Sequence, residues 1–114
     1  MNLNIPYMET DNKLLNDAYR IAAGDIVGNI VYYQNGLLTE EKPCMIAGLD
    51  YNTPWTRDTA INIWNALSIL SSEVSKNTLL AVLEEEEGNI YIGGQYWDSI
   101  IWMIGAREYC RFHK

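Results

Sequence analysis

The sequence predicts an all-α chain of four to five helices, with one long loop and one short extended segment. Three observations predict it. Leu15, Ala18, Tyr19, Ala22, Ala23, Ile26, Val27 and Ile30 follow helical spacing in the first third. Ala60, Ile63, Trp64, Leu67 and Leu70 repeat that spacing in the middle, with Asn62, Asn65, Ser68 and Ser72 on another face. The run SIIWMIGA near the end is apolar nearly all round, as in a helix buried between neighbours.

Taken in order, residues 1–10 read as an irregular lead-in, and Thr10 or Asp11 can cap the first helix. Gly24 and Gly28 lie four apart within that helix and would let another helix approach on their face. Residues 33–50 form the loop, marked by Asn35-Gly36, Pro43, Gly48 and a Glu40-Glu41-Lys42 cluster. A helix from about Thr59 to Ser71 follows. After a turn over residues 71–75, a further helix runs from about Val74 to Glu86, and the short connection implies an antiparallel pair. Residues 84–87 are four acids near that helix's C-terminus, where negative charge opposes the dipole, so the end should fray and the acids should be solvated. Residues 88–94, GNIYIGG, read as a short strand or an extended loop. The last helix spans about Asp98 to Arg111.

A chain of 114 residues allows one domain at most, and 48% hydrophobic residues make a core possible. The net charge of −7 argues against nucleic acid and anionic membranes, because phosphate binding needs clustered cations. It tolerates a neutral polar ligand. His113 is the single histidine and there is no CxxC pair, so no His- or Cys-rich metal site is expected and no cofactor is implied. Cys44 and Cys110 permit one disulfide without requiring it. Cys110 lies in an apolar helical run and reads as a buried free thiol. The N-terminus lacks the basic start and apolar run of a signal peptide, which makes the cytoplasm the expected compartment. No stretch approaches the roughly 20 apolar residues of a membrane span.

The functional signal lies in residues 50–64, DYNTPWTRDTAINIW. Pro54 biases Thr53 toward extended backbone, so a loop carrying Tyr51 and Trp55 leads into a helix mouth carrying Arg57 and Asp58. Indole faces stack on sugar C–H surfaces, the guanidinium offers a planar fork of donors, and the carboxylate accepts from hydroxyls. The structural alternative makes Asp58 an N-cap and Arg57 its surface partner. Residues 93–109, GGQYWDSIIWMIGAREY, repeat the grammar: a flexible Gly93-Gly94 pair, then Tyr96, Trp97 and Asp98 at a helix start. Trp64 and Trp102 lie inside helices, where core packing is their expected role.

PWTRDTAINIW resembles the TWTRD-type segment of glucoamylases and their relatives, the six-hairpin glycosidases, and YWDS resembles a segment of trehalases and similar α-toroid hydrolases. The resemblance implies an (α/α)6 toroid, of which this chain would supply about two helical hairpins, residues 1–114 being the N-terminal part of an incomplete toroid. It implies a glycoside hydrolase fragment acting on O-glycosidic bonds of an α-glucoside-like oligo- or polysaccharide. Arg57, Asp58, Trp97 and Asp98 match the family's sugar-holding positions, and Tyr51, Trp55 and Tyr96 would complete the walls. The general acid and base are expected beyond residue 114, so the isolated chain should be inactive. The competing readings are a non-enzymatic helical interaction module, self-associating through exposed apolar helix faces, and a sugar-binding remnant. No G-x-S-x-G elbow, GKS/T phosphate loop or G-x-G-x-x-G supports another chemistry.

Overall fold

The computed structural model describes residues 3–114, and it corrects the fold class. The chain is mixed α/β, with four helices, two small antiparallel two-stranded sheets, and 14% of its residues in strands. The all-α expectation, and with it the pair of toroid hairpins, does not hold. Helix α1 spans Lys13–Gly28. Strands β1 (Ile30–Tyr33) and β2 (Lys42–Met45) form a hairpin inside the region expected to be helix end and loop. Helix α2 covers residues 56–70, with one wide π turn at Ile63–Leu67. Helix α3 is Ser72–Ala81, β3 is Leu83–Glu86, β4 is Asn89–Ile92 and α4 is Asp98–Phe112.

The local reasons are legible once the contacts are known. Asn12, not Thr10 or Asp11, caps α1, its side chain accepting from the N–H groups of Leu14 and Leu15. Ser71 breaks α2 from α3 in one extended residue, its Oγ accepting from the N–H of Val74 at 3.2 Å. The expected helix through residues 84–87 is instead a β-hairpin. Glu87 and Gly88 both hold positive φ, +50° and +80°, which is the two-residue turn that matches strand twist. The four acids thus lie on and beside a strand rather than at a frayed helix end.

The core is built from Met45, Ile63, Leu67, Val74 and Leu79, with Ile26, Ile30, Trp102 and Tyr109 packed around it. Trp102 fills its expected role, and its indole N–H donates to Leu79 O at 3.2 Å. Trp64 does not. The π turn keeps Ile63 and Leu67 buried but leaves Trp64 55% exposed. Helix α3 also serves as a partner for β2. The N–H of Met45 donates to Thr78 Oγ1 at 3.0 Å, and Asn77 Nδ2 donates to Pro43 O at 3.1 Å. Cys44 is fully buried here and free, and burial pushes its thiol up to about 12 despite a hydrogen bond with Thr78. Cys110 is free, as expected, but exposed rather than buried.

The molecule is elongated, 56 × 25 × 25 Å. Helix α1 has no buried residue, and a Cβ placed on Gly24 or Gly28 would meet nothing within 4 Å. Among the described residues, no helix takes up the close approach that those glycines would allow. By contrast, a Cβ on Gly105 would come within 2.8 Å of Ala60 Cα. That close approach clamps α4 against α2 and sets their first turns side by side.

Candidate functional site

Two helix entrances and one hairpin meet at the site. Thr53 Oγ1 hydrogen-bonds the Tyr33 hydroxyl at 2.8 Å, which ties the loop before α2 to the end of β1. Pro54 is buried, and α2 starts at Thr56, three residues earlier than the spacing predicted. Trp55 therefore occupies the cap position, without a side-chain cap bond, and Asp58 stands in the first turn rather than capping it. Thr56 Oγ1 donates to Gly93 O at 2.6 Å, joining the α2 entrance to the glycine pair after β4.

Arg57 and Asp98 are brought together across this junction. The guanidinium Nε lies 3.4 Å from Asp98 Oδ1, and the Arg57 carbon sits 5.2 Å from the centroid of the Trp97 ring, within cation–π range. The other oxygen of Asp98, Oδ2, accepts from the N–H of Gln95 at 2.8 Å. Asp98 is buried while Arg57 is about half exposed. Both oxygens of Asp98 are thus engaged within the protein. The carboxylate fixes Arg57 and the turn before α4, rather than presenting itself to a ligand. Among the described residues only Nε of Arg57 is hydrogen-bonded, which leaves its two terminal NH2 groups as donors to the outside. Gly94 makes this possible: its φ is +102°, and a Cβ there would stand 2.4 Å from Asp98 Oδ2.

An open cleft of about 500 Å³ lies over the junction, lined by Trp55, Arg57, Asp58 and Asp98 together with Asn35, Glu84 and Gln95. Asp58 is exposed and has no ion pair or side-chain hydrogen bond among the described residues. Tyr51 packs edge-on against Trp55, ring centroids 6.1 Å apart, and the two line a smaller hollow of about 210 Å³ with Ala47 and Asp58. Trp97 backs Arg57 from outside the cleft. Tyr96 is 89% exposed, lies against Trp97 at 5.9 Å, and lines neither hollow.

Sequence reasoning missed Glu84, Gln95 and Asn35. For Glu84 the run LEEEEGNIYI gave only Gly88 as a turn signal, and its four glutamates read as helix. The two-residue turn at Glu87-Gly88 places residue 84 on strand β3 beside the glycine pair. A Cβ on Gly93 would meet Glu84 Oε1 at 3.0 Å, so this carboxylate lies directly over that backbone. Among the described residues, no group of three or more His, Cys, Asp or Glu is placed to hold a metal ion, and no helix is long and apolar enough to cross a membrane.

No family model, curated protein or solved structure matches the chain. The chemistry of the cleft therefore rests on its geometry. It offers an indole wall, a pre-oriented fork of donors and exposed carboxylate acceptors. That combination suits a ligand with both a C–H face and several hydroxyls.

Proposed function

We propose that the cleft binds a saccharide, and that the chain supplies the sugar-holding part of a glycoside hydrolase-like protein without hydrolysing glycosides by itself. The observation that carries this reading is the guanidinium of Arg57, held by buried Asp98 and backed by Trp97, with its terminal donors beside Trp55 and Asp58. A pre-oriented donor fork adds affinity because little freedom is lost on binding. In the proposed pose the sugar's C–H face rests on Trp55, and its hydroxyls accept from Arg57 and donate to Asp58. Asp98 acts as a positioning residue. Hydrolysis needs two carboxyl groups flanking the bond, and the engagement of Asp98 removes it from that role.

The test is titration of the four indole N–H signals with glucose, maltose, trehalose and mannose. Trp55 and Trp97 should shift, while Trp102, bonded to Leu79 O in the core, should not. Arg57→Ala should weaken the response about tenfold, the size of a lost charge-assisted hydrogen bond. Identical titrations for wild type and Arg57→Ala refute the reading.

A second reading has one observation in its favour. Helix α1 presents Leu14 at 80% and Ile21 at 66% exposure with no buried residue. A helix of 16 residues is marginal in water without a packed face. This favours an interaction module, and concentration-dependent sedimentation abolished by Leu14→Glu with Ile21→Glu would support it.

A further inference from the structure

The charge balance of the cleft narrows the ligand class. Among the described residues Arg57 is the only cation on its walls, against Asp58, Glu84 and Asp98. The Arg57 charge is already offset by Asp98 at 3.4 Å, so Asp58 and Glu84 face the cleft as excess negative charge. Both are exposed, and neither has an ion pair or side-chain hydrogen bond among the described residues. They come from different elements, the first turn of α2 and strand β3, and both line one cleft. A net charge of −7 on the whole chain reinforces the same potential. An anionic sugar would meet repulsion from both carboxylates.

The geometry points to a saccharide bearing a protonated amine, an amino sugar, its ammonium drawn to the Asp58 and Glu84 carboxylates that line the cleft while Arg57 takes neighbouring hydroxyls. This inference rests on the saccharide reading above. An ammonium can donate up to three hydrogen bonds to separate acceptors, which suits carboxylates carried on two elements. Trp55 adds an aromatic face to which an ammonium is attracted.

The test compares glucosamine, N-acetylglucosamine, glucose and glucuronate on the full chain, below the pKa of the amine, by the same indole titration. Glucosamine should bind about tenfold more tightly than N-acetylglucosamine, the worth of one charge-assisted hydrogen bond. Glucuronate should bind most weakly. The glucosamine preference should shrink as salt is raised. Glu84→Gln and Asp58→Asn should each lower it, whereas Arg57→Ala should weaken all the sugars alike. Glu84 and Asp58 are exposed, so these variants should fold, and far-UV circular dichroism checks that they do. Equal affinity for glucosamine and its neutral analogues overturns this inference and leaves the saccharide reading standing. Binding of none of the four sugars overturns both.

Discussion

Replacing Asp98 should cost both stability and ligand response, although its carboxylate does not face the ligand. Asp98→Ala removes a buried acceptor from the Gln95 N–H at 2.8 Å. A hydrogen bond to a charged group contributes about 1.5–3 kcal/mol. It also removes the Arg57 contact at 3.4 Å, but Arg57 is 46% exposed, and solvent screening limits such a pair to about 0–1 kcal/mol. The expected loss is about 2–3 kcal/mol, a drop in Tm on the order of 10–20 °C at about 4–8 °C per kcal/mol. Asp98→Asn keeps an oxygen for Gln95 and loses only the charge, so its cost should be about 1 kcal/mol. A double-mutant cycle of Asp98→Asn with Arg57→Ala isolates the ion pair, and its coupling should stay below about 1 kcal/mol. In the indole titration, Asp98→Asn should weaken saccharide binding through Arg57 while leaving the Trp102 signal unmoved. Thermal unfolding by circular dichroism supplies the stability arm. Wild-type Tm in Asp98→Ala, or wild-type saccharide response in Asp98→Asn, would refute the clasp.

Two further predictions test the frame. Gly105→Ala should raise helix propensity by about 1 kcal/mol in isolation, yet its Cβ would meet Ala60 Cα at 2.8 Å, and overpacking costs about 1–3 kcal/mol. The net effect should be a lower urea midpoint, and a raised midpoint would show that α2 and α4 do not approach as described. Cys110 should react with a thiol reagent in the native protein and Cys44 only after unfolding. Burial raises the Cys44 thiol from 9.0 to about 12 in the folded state, so the unfolded state sheds its proton first as pH rises. Its contribution is full below pH 9 and falls between about 9 and 12, by on the order of 4 kcal/mol at most. Cys44→Ser should flatten that alkaline slope.

Periodicity found α2 because its buried positions Ala60, Ile63 and Leu67 obey it, whereas α1 has no buried residue and α4, expected to lie buried between neighbours, buries only Asp98, Gly105 and Glu108 and leaves Ile100 and Met103 exposed. Ile63, Leu67 and Trp102 are where an apolar helical stripe places them. It failed where a segment's conformation depends on distant partners. Lys42-Pro43-Cys44-Met45 carries a proline and a charge, and it becomes a strand because Asn77 and Thr78 of α3 satisfy the backbone that β1 does not. The region 83–92 failed for a different reason. Glutamate is a good helix former and a poor occupant of positive φ, so Glu87 concealed a two-residue hairpin turn. At the site, residue types indicated where side chains meet but not what they do there. Arg57 and Asp98 do meet, yet the sequence could not show that Asp98 is consumed by Gln95 and Arg57. Asp58 read equally well as a cap, and only the earlier start of α2 releases it.

The two corrected features are also what create the cleft. Had α3 continued through Glu86, Glu84 would have stayed on a helix and the wall it now forms would be missing. The chain turns instead at Val82, whose carbonyl accepts from the N–H of Gly93 at 2.9 Å. A Cβ on Gly93 would lie 2.8 Å from that same oxygen, and one on Gly94 would collide with Asp98. The glycine pair is therefore specified by contacts on both sides: the hairpin closes through the first residue, and Arg57 is oriented through the second. Flexibility was the property the sequence suggested for Gly93-Gly94. Close packing is the property the structure uses, and it makes donor orientation at Arg57 depend on the same backbone that carries Glu84 to the cleft.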